Sequence, residues 1–138
     1  MMVSETQVRV RYAETDQMGF VYYGNYASYY EVGRTEALRS LGSSYHKLEE
    51  TGVIMPVVEM SVKYLKSAKY DDLLTIRTRV PEVPDRDMVF EYEIYNNAGE
   101  LLNKGKTTLV FISKQNGKRM RCPEWMQKLI IEANHNEE

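Results

Sequence analysis

One long helical period gives way to a long run of period two, and that change limits the fold more than any other feature. From Gly24 to Leu41, the residues Tyr26, Tyr30, Gly33, Ala37 and Leu41 recur at steps of four and three, with Ala27, Arg34 and Leu38 beside them. The spacing predicts a helix of roughly 18 residues, on the order of 27 Å long at 1.5 Å per residue, with one apolar stripe. Gly42 is placed to end it. From Val53 to Ile112 the period is two. Val58, Met60, Val62 and Tyr64 alternate with Glu59, Ser61 and Lys63, and Leu74, Ile76, Thr78 and Val80 with Thr75, Arg77 and Arg79. Met88, Phe90, Tyr92 and Ile94 alternate with Val89, Glu91 and Glu93; Asn96-Asn97-Ala98-Gly99 then reads as a hairpin turn, with Leu101 to Ile112 as the returning strand.

Smaller elements complete the pattern. Val8, Val10 and Tyr12 alternate with Arg9 and Arg11, predicting a strand ahead of the helix. A short helix is expected over Ser44 to Glu50, closed by Gly52. Pro123 suits the first turn of a terminal helix through Trp125, Leu129 and Ile130, and Asn134 to Glu138 read as a frayed polar tail. One strand, one long helix and an antiparallel meander make an α+β domain, because the helix must bury its stripe on the only large surface available. The sheet is expected to curl around it. Several α+β rolls share this pattern, and periodicity does not choose among them.

At 138 residues the chain suits one domain, 1–138, with a core large enough to need neither disulfide nor metal. A net charge of −2 with interspersed signs lacks the basic stripe of a general nucleic-acid binder. Cys122 is the only cysteine, so no intrachain disulfide is possible. The opening residues lack a basic segment followed by an apolar one, and no apolar run approaches the ~20 residues that span a bilayer. The expected place is the cytoplasm, with no membrane partner.

The segment from Arg11 to Tyr26, Arg-Tyr-Ala-Glu-Thr-Asp-Gln-Met-Gly-Phe-Val-Tyr-Tyr-Gly-Asn-Tyr, resembles the signature of the 4-hydroxybenzoyl-CoA thioesterase family. Its continuation from Tyr30 to Glu36, Lys69-Tyr70-Asp71-Asp72 before a strand, and the turn Asn116-Gly117-Lys118-Arg119 match too, so the likeness covers nearly the whole chain. The resemblance implies a hotdog fold, a curved antiparallel sheet wrapped around one long helix. It also implies homodimers whose sheets join edge to edge, often paired into homotetramers, with the acyl-CoA site at the dimer interface. Asp16 matches the family's catalytic carboxylate. Tyr23 matches the residue at the helix N-terminus whose backbone N–H faces the thioester carbonyl. Many relatives have histidine there; tyrosine leaves the backbone role intact but removes a possible side-chain proton carrier. By family position, Arg86 and Arg121 are expected to meet coenzyme A phosphates.

Those residue types suit the chemistry. Thioester hydrolysis needs a nucleophile or base on one side of the carbonyl and stabilisation of an oxyanion on the other. A helix start offers unpaired N–H groups and a positive partial charge. Gly24 leaves room for close approach of substrate, and Asn25 is expected either to orient water or substrate or to bind helix-end backbone. Asp16 has two available roles, direct attack giving a mixed anhydride or activation of water, and both need the ionised form that an ordinary aspartate already has. No metal or redox cofactor is called for; His46 and His135 lack ligand-like spacing.

Plainer readings exist for each residue. Asp16 in a turn often bonds its own backbone. The tyrosines at 22, 23, 26, 29 and 30 suit core or subunit contacts, with only Tyr23 kept at the site. Glu31 and Glu36 are possible second carboxylates, though Glu31 pairing with Arg34 one turn on is the simpler expectation. Three other functions share the pattern: an acyl-CoA sensor without turnover, a thioesterase acting on acyl-carrier protein, and a hydroxyacyl dehydratase. A sensor has no need of Asp16, and a dehydratase calls for a well-placed histidine that this chain lacks.

Overall fold

The computed structural model describes residues 1–136. Strand β1 (Met2–Arg9) opens the chain, and helix α1 (Tyr26–Ser40) and the short α2 (Tyr45–Glu50) follow. Six more strands come next: β2 (Val53–Ile54), β3 (Val57–Tyr64), β4 (Leu73–Val80), β5 (Asp87–Tyr95), β6 (Leu101–Ser113) and β7 (Arg119–Met120). Helix α3 (Glu124–Asn136) ends the described chain. The sheet is antiparallel throughout, in the order β1-β4-β5-β6, with β3 beside the first half of β6 and the short β2 and β7 beside its end.

The period-two strands bury the faces that their alternation marks. Leu74, Ile76, Thr78 and Val80 on β4 and Met88, Phe90, Tyr92 and Ile94 on β5 are buried, and α1 lies across them. Two glycines set how closely the helix approaches. A Cβ at Gly33 would stand 2.5 Å from the Thr78 hydroxyl and 2.8 Å from an Ile76 methyl. A Cβ at Gly105 on β6 would sit inside the Tyr30 ring, which is fully buried and stacks on Tyr92 at 4.3 Å. The Tyr30 hydroxyl donates to Asn103 Oδ1 at 2.6 Å, fixing α1 to β6.

The opposite face of the sheet is charged in matched rows. Cross-strand register places Glu5 beside Arg77, Arg77 beside Glu93, and Glu93 beside Lys104, with Arg79, Glu91 and Lys106 in the next row. Arg79 contacts both Glu91 and Glu93, at 3.8 and 3.5 Å.

β3 is different. Among the described residues no strand pairs with its outer edge, and Val58, Met60 and Tyr64, which share the helix-side face with Val62, are 59%, 45% and 51% exposed. The helix covers β4 and β5 and stops short of this apolar shelf.

Several boundaries differ from expectation. The helix starts at Tyr26, because Tyr23–Asn25 forms a tighter 3₁₀ turn leading into it. β1 runs Met2–Arg9, and Tyr12, expected in that strand, begins a 3₁₀ turn and is 79% exposed. Pro123 precedes α3; its carbonyl accepts from Met126 and Gln127. The polar residues Asn134 to Asn136 belong to α3 and are not a frayed tail, while Glu137 and Glu138 lie outside the described residues. Ser44 caps α2 by accepting from the Lys47 amide at 3.0 Å, as a cap before a short helix should. Tyr29, for which core and subunit contacts were both open, is buried alongside Tyr26 and Tyr30. Among the described residues no ion pair joins Glu31 to Arg34; Glu36 pairs with Arg39 instead.

Candidate active site

The residues from Glu14 to Tyr22 fold into a tight hairpin. The Tyr22 amide donates to the Glu14 carbonyl, Thr15 bridges Val21, and the Asp16 amide donates to the Phe20 carbonyl at 2.8 Å. Asp16 therefore stands at the tip, two residues beyond the level at which the chain turns into the helix, or roughly 7 Å along the arm. Its Oδ1 accepts from the Met18 amide at 2.9 Å and the Phe20 amide at 3.2 Å, while Oδ2 has no hydrogen-bond partner among the described residues. The plainer reading thus holds for one oxygen. Fixing that oxygen orients the other, so the turn aims the carboxylate and leaves half of it available.

Glu14 ties this hairpin to α1. Its carboxylate accepts from the Arg11 amide at 2.9 Å and from the buried Tyr29 hydroxyl at 3.0 Å, and it pairs with the Arg11 guanidinium. Burial acts to raise its pKa, but the Arg11 amide, the Tyr29 hydroxyl and the Arg11 side chain outweigh it and hold the carboxyl below its ordinary 4.5. Asn25 adds a second tie, its side-chain amide donating to the Glu14 carbonyl at 2.8 Å. Of the two roles expected of Asn25, the bond present is to backbone.

The helix start is uncapped. Tyr22 makes no side-chain bond to the 3₁₀ turn that it precedes, and Asn25 makes none to α1. The Tyr23 and Gly24 amides stand at the first positions of that turn, where no intrahelical acceptor exists. A Cβ on Gly24 would come 2.7 Å from the Tyr22 ring, so this glycine makes room for the chain's own tyrosine. The Tyr23 side chain is 64% exposed, and its carbonyl meets the Tyr64 hydroxyl at 3.4 Å.

Beside the helix start lies a cleft of about 240 Å³ lined by Val21, Tyr23, Tyr26, Tyr64, Leu65 and Lys66. A ligand site for an acyl group is commonly ~300–1,000 Å³. The cleft opens at the uncovered end of β3, so in one chain it has a floor and one wall.

Arg86 and Arg121 are elsewhere. Arg86 is exposed in the β4–β5 loop, against a cavity of about 310 Å³ shared with Glu82, Pro84 and Asp87. Arg121 follows β7 and pairs with Asp85 at 3.3 Å. Both sit at the Val80 end of β4, whereas the Asp16 hairpin packs at its Leu73 end, where Val10 bonds Asp71 and Asp72. Eight residues of strand separate them by roughly 24 Å. One chain brings Asp16, Tyr23, Gly24 and Asn25 together and leaves the two arginines at the far end.

Cys122 is buried beneath α3, where burial pushes its thiol up to about 12. Among the described residues no cluster of histidine, cysteine, aspartate and glutamate has the makings of a metal site. No helix among them is long and apolar enough to cross a membrane.

What sequence reasoning missed is the tie through Glu14, Tyr29 and Asn25. The signal was present as an acidic residue two before Asp16, but only the folded hairpin shows its partners.

Comparison with known proteins agrees with this architecture. The thioesterase superfamily model (4HBT) matches residues 18–103, more than half of the chain; Asp16 and Arg121 fall outside the matched stretch. Bacillus subtilis (strain 168) YneP is 39% identical over 129 residues, covering 91% of this chain and 94% of that one. The acyl-CoA thioester hydrolase YbgC of Escherichia coli O6:H1 is 34% identical over 117 residues, covering 85% and 87%. The crystal structure of a DHNA-CoA thioesterase from Staphylococcus aureus superposes with a TM-score of 0.89 at 38% identity, covering 99% of this chain and 95% of that one. An antiparallel sheet wrapped on one long helix, matched at this level over nearly the full length, identifies the chain as a hotdog-fold member of the thioesterase superfamily.

Proposed function

We propose that this chain hydrolyses acyl-CoA thioesters to the free acid and coenzyme A, with Asp16 as nucleophile or general base. The observation that carries the reading is the pairing of a half-tied carboxylate with an uncapped helix start beside a cleft that is open at the β3 edge. The carbonyl oxygen of the thioester lies against the Tyr23 amide, where the helix dipole and the N–H stabilise the tetrahedral oxyanion. Asp16 Oδ2 either attacks the carbonyl carbon and expels the thiolate, leaving a mixed anhydride that water then cleaves to the acid and free Asp16, or takes a proton from a water that attacks as the thiolate leaves.

The working unit is a homodimer formed through β3, paired again into a tetramer, and active in the cytoplasm. An unprotected edge strand with an apolar face calls for another strand beside it. Two copies joined by a two-fold axis keep their shelves on one common face only if the edges run antiparallel. That arrangement sets each chain's helix start against the partner's opposite end, the end that carries Arg86 and Arg121. It accounts for a 24 Å separation, roughly, within one chain between residues expected to hold one substrate. The two arginines of one subunit then meet the phosphates of the coenzyme A whose thioester is cleaved by the other.

The test is thiol release from a panel of acyl-CoAs and acyl-carrier protein. Wild type should release free coenzyme A, and Asp16→Asn should slow turnover by at least ~10²-fold. Saturable binding without thiol release by wild type would remove the enzyme reading in favour of a sensor.

A further inference from the structure

The outer face of the sheet alternates in sign until it reaches its edge. Across one row the register runs Glu5, Arg77, Glu93, Lys104, so each acid on β1 and β5 faces a base on β4 or β6. The next residue in that row is Lys63 on β3, directly opposite Lys104. Like charges in directly opposed positions destabilise a sheet. Glu59 stands on the same face of β3, opposite Thr108, with no base across from it. Both side chains are exposed, and among the described residues neither forms an ion pair. One chain thus leaves a base and an acid unmatched on its outer edge strand, with Ser61 midway between them.

A two-fold axis in the right place matches both. Directly opposed residues share a face of a sheet, so an axis relating two antiparallel strands passes beside a residue that opposes its own copy. With that residue at Ser61, Lys63 faces the partner's Glu59, Glu59 faces the partner's Lys63, and the alternating row carries on across the seam. An axis at Met60 sets Ser61 against the partner's Glu59, and one at Val62 sets Lys63 against the partner's Ser61; both leave the charges unmatched. Backbone geometry favours close contact in the matched case. The Leu65 amide donates to the Leu102 carbonyl of β6, which turns the backbone groups of Ser61 and Lys63 toward β6 and those of Met60 and Val62 toward the outer edge. Across the seam, Lys63 and the partner's Glu59 then form a pair without hydrogen bonds of its own, the type whose Cα atoms lie roughly 4.5 Å apart with side chains closest. On the helix side Met60 meets the partner's Val62, and the two apolar shelves join.

We infer that β3 joins its copy in the one register centred on Ser61, locked by Lys63–Glu59 ion pairs on either side of the axis, and that this charge pattern makes the edge select a second copy of the same chain. An edge lysine by itself discourages any strand. An edge with lysine and glutamate placed evenly about Ser61 is complementary to itself. A foreign strand without an acid in that place, or a copy slipped along the edge, leaves Lys63 beside Lys104 with no counter-charge. The register also fixes which part of the partner closes the helix-start cleft. The bulge between the partner's Val57 and the partner's Glu59 comes against Tyr64, which lines the cleft on its open side. The inference rests on the β3 dimer proposed above and is independent of the hydrolysis; it adds the register and the device that sets it.

Disulfide trapping reads the register. Met60→Cys, Ser61→Cys and Val62→Cys are made singly, in a chain whose own Cys122 is buried. Under mild oxidation Ser61→Cys should cross-link to its copy about tenfold or more faster than the other two. Only the axis residue has its copy within the ~4.4–6.8 Å Cα separation that a disulfide spans, and one register step moves the copies roughly 7 Å along the strand. Fastest cross-linking at position 60 or 62 overturns the register and keeps the dimer. Cross-linking at none of the three puts the interface elsewhere and removes the β3 dimer and its register together. Charge exchange reads the lock. Lys63→Glu and Glu59→Lys, each alone, should self-associate about tenfold or more weakly in analytical ultracentrifugation, since each turns attractive pairs into repulsive ones. Mixed, the two variants should pair with each other as tightly as wild type pairs with itself, and the double variant Lys63→Glu/Glu59→Lys should regain a homodimer. Where the dimers are too tight to dissociate, co-expression with tags of different mass gives the same preference by native mass spectrometry. Single variants that self-associate like wild type, or a mixture that does not favour the mixed dimer, overturn the charge lock. Thiol release is scored separately: a protein that cross-links at position 61 and cleaves no acyl-CoA refutes the hydrolysis and leaves the register standing.

Discussion

Replacing Gly105 by alanine tests whether the helix position is set by contact with the sheet. The added methyl would fall within the Tyr30 ring, which cannot tilt freely because it stacks on Tyr92 with only 7° between the ring planes. The ring either leaves its rotamer or lifts α1. Overpacking of a dense core costs about 1–3 kcal/mol. Moving the ring also breaks the bond from its hydroxyl to Asn103 Oδ1, leaving buried polar atoms unpaired for about 1–3 kcal/mol more. Alanine is better than glycine in a strand interior by roughly 0.5–1 kcal/mol, which offsets part of this. The net expectation is a loss of about 2–4 kcal/mol. At about 3 °C per kcal/mol for a chain of this length, the Tm falls by roughly 6–12 °C at fixed protein concentration. Urea unfolding followed by circular dichroism gives the free energy directly. The second arm of the test is Tyr30→Leu, in whose background Gly105→Ala should cost under about 1 kcal/mol, because the ring that it strikes is gone. Additive losses in the double variant, or a stable Gly105→Ala single variant, would falsify the claim that this pair sets the helix height.

Three further outcomes follow from the site and the edge. Asp16→Asn keeps an Oδ1 to accept from Met18 and Phe20, so its melting temperature should stay within ~2 °C of wild type while turnover collapses; a comparable loss of stability would mean that the carboxylate charge holds the turn. Because the Glu14 carboxyl sits below its ordinary 4.5 in the folded chain, its stabilising contribution is complete above that value and fades as the pH falls through the folded pKa. Acid titration of unfolding free energy should therefore fall more steeply below about pH 4.5 for wild type than for Glu14→Gln, and parallel curves would refute the role of that carboxylate. Met60→Lys places a charge in the middle of the exposed β3 shelf, and light scattering should report monomers with little thiol release; an intact, active dimer would move the interface elsewhere.

The strands were legible because alternation and burial coincide: every second residue of β4 and β5 that the pattern marked as inward is inward. The same alternation on β3 marked Val58, Met60, Val62 and Tyr64, yet three of those four are exposed. Periodicity reports which face is apolar and is silent on whether the chain itself covers it. Asp16, Tyr23, Gly24 and Asn25 were found close together because their sequence separation is short. Arg86 and Arg121 were expected with them from family position, and their distance from Asp16 depends on sheet topology, which local sequence does not carry. Tyr12 was misjudged for a local reason. A 3₁₀ turn with Glu14 bonded back to the Arg11 amide ends the pairing at Arg9 while the apolar alternation runs on.

The charged rows on the outer face carry a consequence for higher assembly. Along each strand the sign is uniform: positive on β4, negative on β5, positive on β6. Were two β3 dimers to stack through these faces, closure would require the new two-fold axis to cross the dimer axis at the β3 seam, so an aligned stack would lay β5 over β5 and set Glu91 and Glu93 against the same acids of the other dimer. Turning one dimer about the stacking direction would carry the acid columns across the basic ones. The column pattern thus weighs against an aligned back-to-back stack and in favour of a crossed one.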